Sequence, residues 1–204
     1  MDKKLKIPIF PLDKVILFPE TNLPLNIFEE QYIEMIDYAF SKNKLIGMVQ
    51  NKNDSELYNV GCVGKITSFN ETDDGRYIVN LLGKSIFTIT KEIKSDYKFR
   101  IVESVFTYSE SLYEKKINID LNKKKLLSNR YQEFLIYNNS KIELDFVDKI
   151  SSSDLIKFIA MTSPFSKEDK QMLLETYSLD KLLENIFTLF DYYMNIDKNN
   201  TSIN

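Results

Sequence analysis

The spacing of apolar residues changes once along the chain, near residue 111, and that change limits the folds open to it. Before it, apolar and polar residues alternate in short runs broken by Pro, Gly, Asn and Asp, the pattern of half-buried strands. After it, apolar residues recur every three or four positions, as on amphipathic helices. A chain of 204 residues is long enough to give each segment its own core. The expected fold is therefore α+β, a β-rich lobe with one helix over residues 1–110 followed by a helical bundle lobe over 111–204.

Four of the five prolines fall within Pro8–Pro24. Residues 6–18 read as an interrupted strand, and because proline cannot donate to a ladder, Pro8 and Pro11 belong at an edge, a strand start or a bulge. Pro19 and Pro24 bracket a polar turn, "ETNL". Ile27, Phe28, Tyr32, Met35, Ile36, Ala39 and Phe40 then recur at helical spacing opposite Glu29, Glu30, Glu34 and Asp37, with Asn26 as N-cap. On this reading the prolines end an exposed strand and aim the chain into the first helix. Further on, "LIGMVQ" (45–50) is a short buried strand, and "DDG" (73–75) turns a hairpin between a strand containing Val63, Ile66 and Phe69 and another over Tyr77–Leu82. Two more strands are expected over 85–93 and 97–108.

In the second half, 126–138, 144–150 and 153–162 read as helical pieces, with Ser153 and Ser166 as N-caps and Pro164 as a break. Leu179, Leu182, Leu183, Ile186, Phe187, Phe190, Tyr193 and Met194 form a wide apolar stripe on the last helix, read as bundle core. Lys123–Lys125 read as a solvated helix face, and Asn199–Asn204 as a frayed tail.

Several chemistries are excluded by composition. Histidine is absent and cysteine occurs once, at Cys62, which removes His-based nucleophilic triads, zinc clusters and any intrachain disulfide. "GCVGKIT" (61–67) has two residues between its glycines and Ile after its lysine, so it is not a phosphate loop. The net charge is −3, with 14 basic against 16 acidic side chains in residues 1–110 and 13 against 14 in 111–204. Only Arg76, Arg100 and Arg130 are arginine, so nucleic-acid binding is disfavoured. No apolar run is long enough to span a bilayer, and the N-terminus lacks the unbroken apolar centre of a signal peptide. A reducing cytoplasm is the expected location.

Three motifs occur in order along the chain: "PIFPL…VILFPETNLPLNIFEEQY", "VGCVGKIT…DDGRYIVNLLGKSIFTI" and "SPFSKEDKQMLLETYSLDKLLENI". The first resembles the opening of the Lon protease N-terminal domain, with its P-L-F-P-L strand, F-P-G turn and L-P-L-x-I-F-E segment. The second resembles that family's G-x-x-A-x-I…D-G-R-Y…L-x-G…F-x-I segment, and the third the K-Q-x-L-L-E segment of its stand-alone bacterial members. The likeness runs from about Ile7 to Met194. In the first motif Glu20 stands where the family usually has Gly, a turn that accordingly should not need a positive φ, and Asn26 stands where His is common.

The resemblance implies a PUA-like β-barrel or sheet lobe followed by helices, and a stand-alone, non-catalytic binding module without the ATPase and peptidase domains of Lon. No cofactor is expected. The implied partners are unfolded or tagged polypeptides, captured in the groove between lobes or along a sheet edge, with a protease or chaperone ATPase as a further candidate partner. Pro24, Leu25, Phe28, Glu29 and Tyr32 match the family motif and are the candidate polypeptide-binding residues, although Leu25 and Phe28 also suit the core. RNA binding by analogy with other PUA-like proteins is the alternative, and it would require a basic stripe of Lys65, Arg76, Lys84 and Arg100. A small-molecule site would need a closed pocket with convergent polar groups, and self-association stays open.

Overall fold

In the computed structural model residues 4–107, 119–140, 142 and 145–200 are described, and the chain divides into two compact units, Met1–Glu110 and Ser111–Asn204. The first contains β1 (Lys4–Pro11), β2 (Asn22–Ile27), α1 (Glu30–Phe40), β3 (Leu45–Val49), β4 (Val60–Glu71), β5 (Tyr77–Ile93) and β6 (Arg100–Thr107). The second contains α2 (Leu121–Tyr137), a 3-10 turn (Val147–Lys149), α3 (Ser152–Thr162), α4 (Lys167–Leu174) and α5 (Leu179–Asn200). Tyr108 and Leu144, which bound two of the predicted elements, and residues 201–204 of the predicted tail lie outside the described residues, while Asn199 and Asn200 belong to α5.

The strands pair in the order β2-β5-β4-β3-β1-β6, and β6 also pairs with β5, so five of the six close into a ring. The device is β5, read from sequence as two strands but folded as one of 17 residues. Its first half, Tyr77–Leu82, pairs with β2, and its second half, from Ile86, pairs with β6. The exchange occurs at Gly83–Ser85, where the register against β4 shifts by a bulge, which bends a strand. Gly83 is required there because a Cβ would lie 2.0 Å from the Phe18 carbonyl oxygen. Thr21 and Glu20 meet the same glycine, whose N–H donates to Thr21 O (2.8 Å) and whose carbonyl accepts from Glu20 N (3.0 Å). Ile7, Ile9, Val49, Val63 and Val102 surround the fully buried Phe87, whose ring occupies space that a side chain at Gly47 or Gly61 would take.

The prolines act differently from expectation. β1 is buried rather than exposed, with Ile7, Ile9 and Phe10 in the core, and it lies between β3 and β6. Pro8 is tolerated because β1 pairs only with β6 at that point; its pairing with β3 begins at Ile9, and Pro11 ends the strand. Pro24 does not close a turn but sits inside β2, which also absorbs Asn22, Leu23 and Asn26. Ile27 consequently ends a strand, Phe28 joins strand to helix, and α1 starts at Glu30 with Glu29 rather than Asn26 at the N-cap. Glu20 has φ 66°, so this turn keeps the left-handed backbone that its Glu was expected to make unnecessary. The turn is held by Gly83 and by Thr21 Oγ1, which donates to Phe18 O (2.7 Å). The "DDG" turn does fall between β4 and β5, with Gly75 at φ 80°.

In the second unit Ser166 caps α4, accepting from Asp169 N (3.1 Å) and donating to Asp169 Oδ2 (2.7 Å). α3 is capped by Ser151 rather than Ser153, because only Ser151 has an acid three residues on, Asp154, to complete the reciprocal pair. The apolar stripe of α5 is core: Leu182, Leu183, Ile186 and Phe190 are buried, and Phe190 contacts the rings of Tyr131, Phe134 and Phe165.

Candidate functional site

The segment 24–32 changes from strand to helix within a few residues, and that sets which side chains face outward. β2 is the edge of the sheet, paired only with β5. Its carbonyl and N–H groups alternate sides; the Gly83–Thr21 bond puts Thr21, Leu23, Leu25 and Ile27 toward β5, and therefore Asn22, Pro24 and Asn26 toward the free edge. The missing N–H of Pro24 thus falls on that edge, where it interrupts any further strand that would pair there. Leu25 is half-buried and opposite Val79.

Phe28 is the clearest departure from a core reading: it is 67% exposed at the strand–helix junction. Next to it the exposed Glu29 makes no side-chain cap but accepts a hydrogen bond from Gln31 Nε2 (2.9 Å). One turn on, Tyr32 is half-buried with its ring 4.3 Å from that of Phe10. Burial, and then the charge of Glu29, raise the Tyr32 hydroxyl above the usual tyrosine range, while Arg100 pulls it down. Of the five candidate residues, then, Pro24, Phe28 and Glu29 are presented to solvent and Leu25 and Tyr32 are anchored. Aromatic contacts continue along α1, with Phe40, Phe69 and Tyr77 in a chain of edge-on rings and Tyr38 against the stacked pair Tyr97 and Phe99. Phe69 and Tyr97 are themselves exposed.

Arg100 connects this region to a cleft of about 360 Å³ lined by Lys52, Leu57, Ile89, Glu92, Arg100 and Val102, among others. Its guanidinium donates to both oxygens of Glu92, from Nε at 2.8 Å and Nη2 at 2.6 Å. The pair holds the Glu92 carboxyl below its usual range. A second bulge, between Ile89 and Lys91, is what brings Glu92 here. On a regular strand Ile89 and Glu92, three apart, face opposite sides, whereas both line this cleft. Nothing in the sequence marks that bulge, so Glu92 is not legible there as a site residue. The sequence offers Arg100 only as one member of a basic stripe; Arg76 is bound to Asp74 and Arg100 to Glu92, so neither arginine of that stripe is an uncompensated charge. Among the described residues, no group of three or more Cys, Asp or Glu is placed to hold a metal, and no helix is long and apolar enough to cross a membrane.

The fold is thus a closed strand ring with an appended edge strand and one helix, joined in sequence to a helical unit. Residues 6–191 match the family model described as the ATP-dependent protease La (LON) substrate-binding domain, and the chain belongs to that family. It is 23% identical over 198 residues to the Lon protease of Buchnera aphidicola subsp. Baizongia pistaciae, covering 92% of this chain and 25% of that protein. Against the Lon protease of Desulfosudis oleivorans it is 26% identical over 205 residues, covering 94% and 24%. The chain thus spans about a quarter of the length of these curated relatives. Among solved structures, the fold is similar to the Lon N-terminal domain protein from Xanthomonas campestris, with a TM-score of 0.65, 19% identity, and 90% of this chain and 98% of that one covered. The N-terminal domain of a Mycobacterium avium complex Lon protease gives 0.62, 16%, 92% and 98%.

Proposed function

We propose that this chain is a non-catalytic module that captures unfolded or tagged polypeptides at the β2–α1 junction. Its first 110 residues form a PUA-like barrel domain and residues 111–204 a separate helical domain. The observation that carries the reading is the exposure of Phe28 beside Pro24 and Glu29, in a chain of the substrate-binding family. A large aromatic left 67% exposed costs apolar burial that the fold does not recover, and at an interface it supplies contact area with little rotamer freedom to lose. Contact is through side chains rather than strand addition, because Pro24 lacks the donor that an added strand needs. In a cytoplasmic quality-control setting such a module serves as an adaptor that passes captured chains to a protease or chaperone ATPase.

The test is fluorescence anisotropy of a labelled, permanently unfolded polypeptide titrated with the protein, with its folded counterpart and a single-stranded RNA alongside. The expected result is saturable binding of the unfolded chain alone, weakened about tenfold or more by Phe28→Ala. No binding up to about 100 μM, equivalent to roughly −5.5 kcal/mol, sinks the reading. RNA binding at physiological salt would replace it.

A further inference from the structure

We propose that the cleft around Arg100 receives the carboxylate end of a polypeptide whose last side chain is apolar; this rests on the capture reading above and deepens it. Four observations carry it. First, the cleft is built: the bulge between Ile89 and Lys91 turns Glu92 onto the face of Ile89 and Val102, where it meets Arg100. Bulges of this kind re-aim side chains next to functional sites. Second, Glu92 fixes the guanidinium in place with two hydrogen bonds but uses only two of its five N–H donors. An oriented, partly unsatisfied guanidinium is suited to a planar carboxylate.

Third, the charges select the ligand. Lys52 and Arg100 are opposed by Glu56 and Glu92, and the Lys52–Glu56 contact is loose, at 4.0 Å. The charges of the cleft balance, so a ligand with a single negative charge disturbs that balance less than a phosphate dianion. Fourth, Leu57, Ile89 and Val102 supply an apolar floor, and about 360 Å³ lies at the small end of ligand pockets. That volume suits the end of a chain better than a segment passing through. The cleft also adjoins the candidate site, because Arg100 pairs with Ile9, one residue from the Phe10 on which Tyr32 rests.

The experiment uses the full chain and three N-terminally labelled peptides. Two share a sequence ending in Leu, one with a free carboxylate and one amidated; the third is amidated and carries an internal Glu. The free-carboxylate peptide is expected to bind at least about tenfold more tightly than either other peptide. Arg100→Gln should erase that preference, and Glu92→Gln, which removes an opposing negative charge while its Oε1 can still hold the guanidinium, should enlarge it. Should Arg100→Gln fail to fold, Glu92→Gln alone decides, since an unchanged or reduced preference overturns the proposal. Equal binding of the acid and amide peptides, equal binding of the internal-Glu peptide, or binding of none of the three overturns it too. The permanently unfolded polypeptide in the same titration keeps the readings apart: if it binds while the peptides show no carboxylate preference, capture stands and the Arg100 cleft is excluded.

Discussion

The two units differ in how they use their aromatic residues. In the helical unit Tyr131, Phe134, Phe165 and Phe190 are buried and contact one another, so their rings are the core. In the β unit Phe87 fills the ring of strands with Phe106 packed against its cluster, Phe10, Phe18 and Phe99 are also buried, and Phe28, Phe69 and Tyr97 are exposed. A closed barrel leaves little interior, and glycines at 47 and 61 clear the space for one large ring. Phe28, Phe69 and Tyr97 of that unit are left at its surface. Aromatic content, 14 Phe and 12 Tyr in the chain, therefore identifies a binding surface only once the fold has separated core rings from presented ones.

Substitutions should divide along the same line. Phe190→Ala removes a ring that touches three others and is expected to cost about 3–5 kcal/mol in thermal or denaturant unfolding. A loss under about 1 kcal/mol would mean that the helical unit is not packed around these rings. Tyr131 offers a pH test of the same core. Burial pushes its hydroxyl up to about 12, with the Thr162 hydrogen bond pulling the other way, against about 10 for a free tyrosine. The stability tied to its neutral form is fully present below pH 10 and is lost as pH rises toward 12, on the order of 2 kcal/mol in all. Tyr131→Phe should flatten that alkaline fall.

Smaller effects are expected in the β unit. Glu20→Gly should stabilise by about 0.5–1 kcal/mol, because glycine adopts φ 66° without the steric cost that Glu bears, partly offset by a more flexible unfolded chain. Destabilisation instead would reveal a contact that rewards Glu at this turn. Phe28→Ala should change stability by less than about 0.5 kcal/mol while weakening polypeptide capture, the reverse of Phe190→Ala. If Phe28→Ala lowers the melting temperature as much as Phe190→Ala does, the distinction between presented and core rings fails.

Particular elements show why parts of the fold were legible and others were not. The "DDG" turn, the buried strand at 45–50 and the α5 stripe depend on spacing over a few residues, and the structure has them where expected. β2 was not legible: "NLPLNI" contains a proline and two asparagines, yet pairing with Tyr77–Leu82 makes it a strand. Its capture also puts the N-cap of α1 at Glu29 rather than Asn26. The continuity of β5 through Gly83 depends on Phe18, 65 residues earlier in the chain, whose carbonyl occupies the place of a side chain. At the candidate site, the motif resemblance located segment 24–32, but exposure ranked its members differently, with Phe28 outward and Tyr32 held on Phe10. Arg100 and Glu92 meet only through a bulge, a feature of pairing between strands and not of either strand alone.

By itself the sequence determined the change from β to α architecture, the Ser166 cap of α4, the absence of histidine chemistry and the family, because each depends on residue type or near-neighbour spacing. The tertiary structure alone decided how the sheet closes, which backbone edge Pro24 blunts, which aromatics reach solvent and which carboxylate holds Arg100. Those outcomes depend on where distant segments pack and on the register between strands, and a one-residue shift in register turns a side chain to the opposite face.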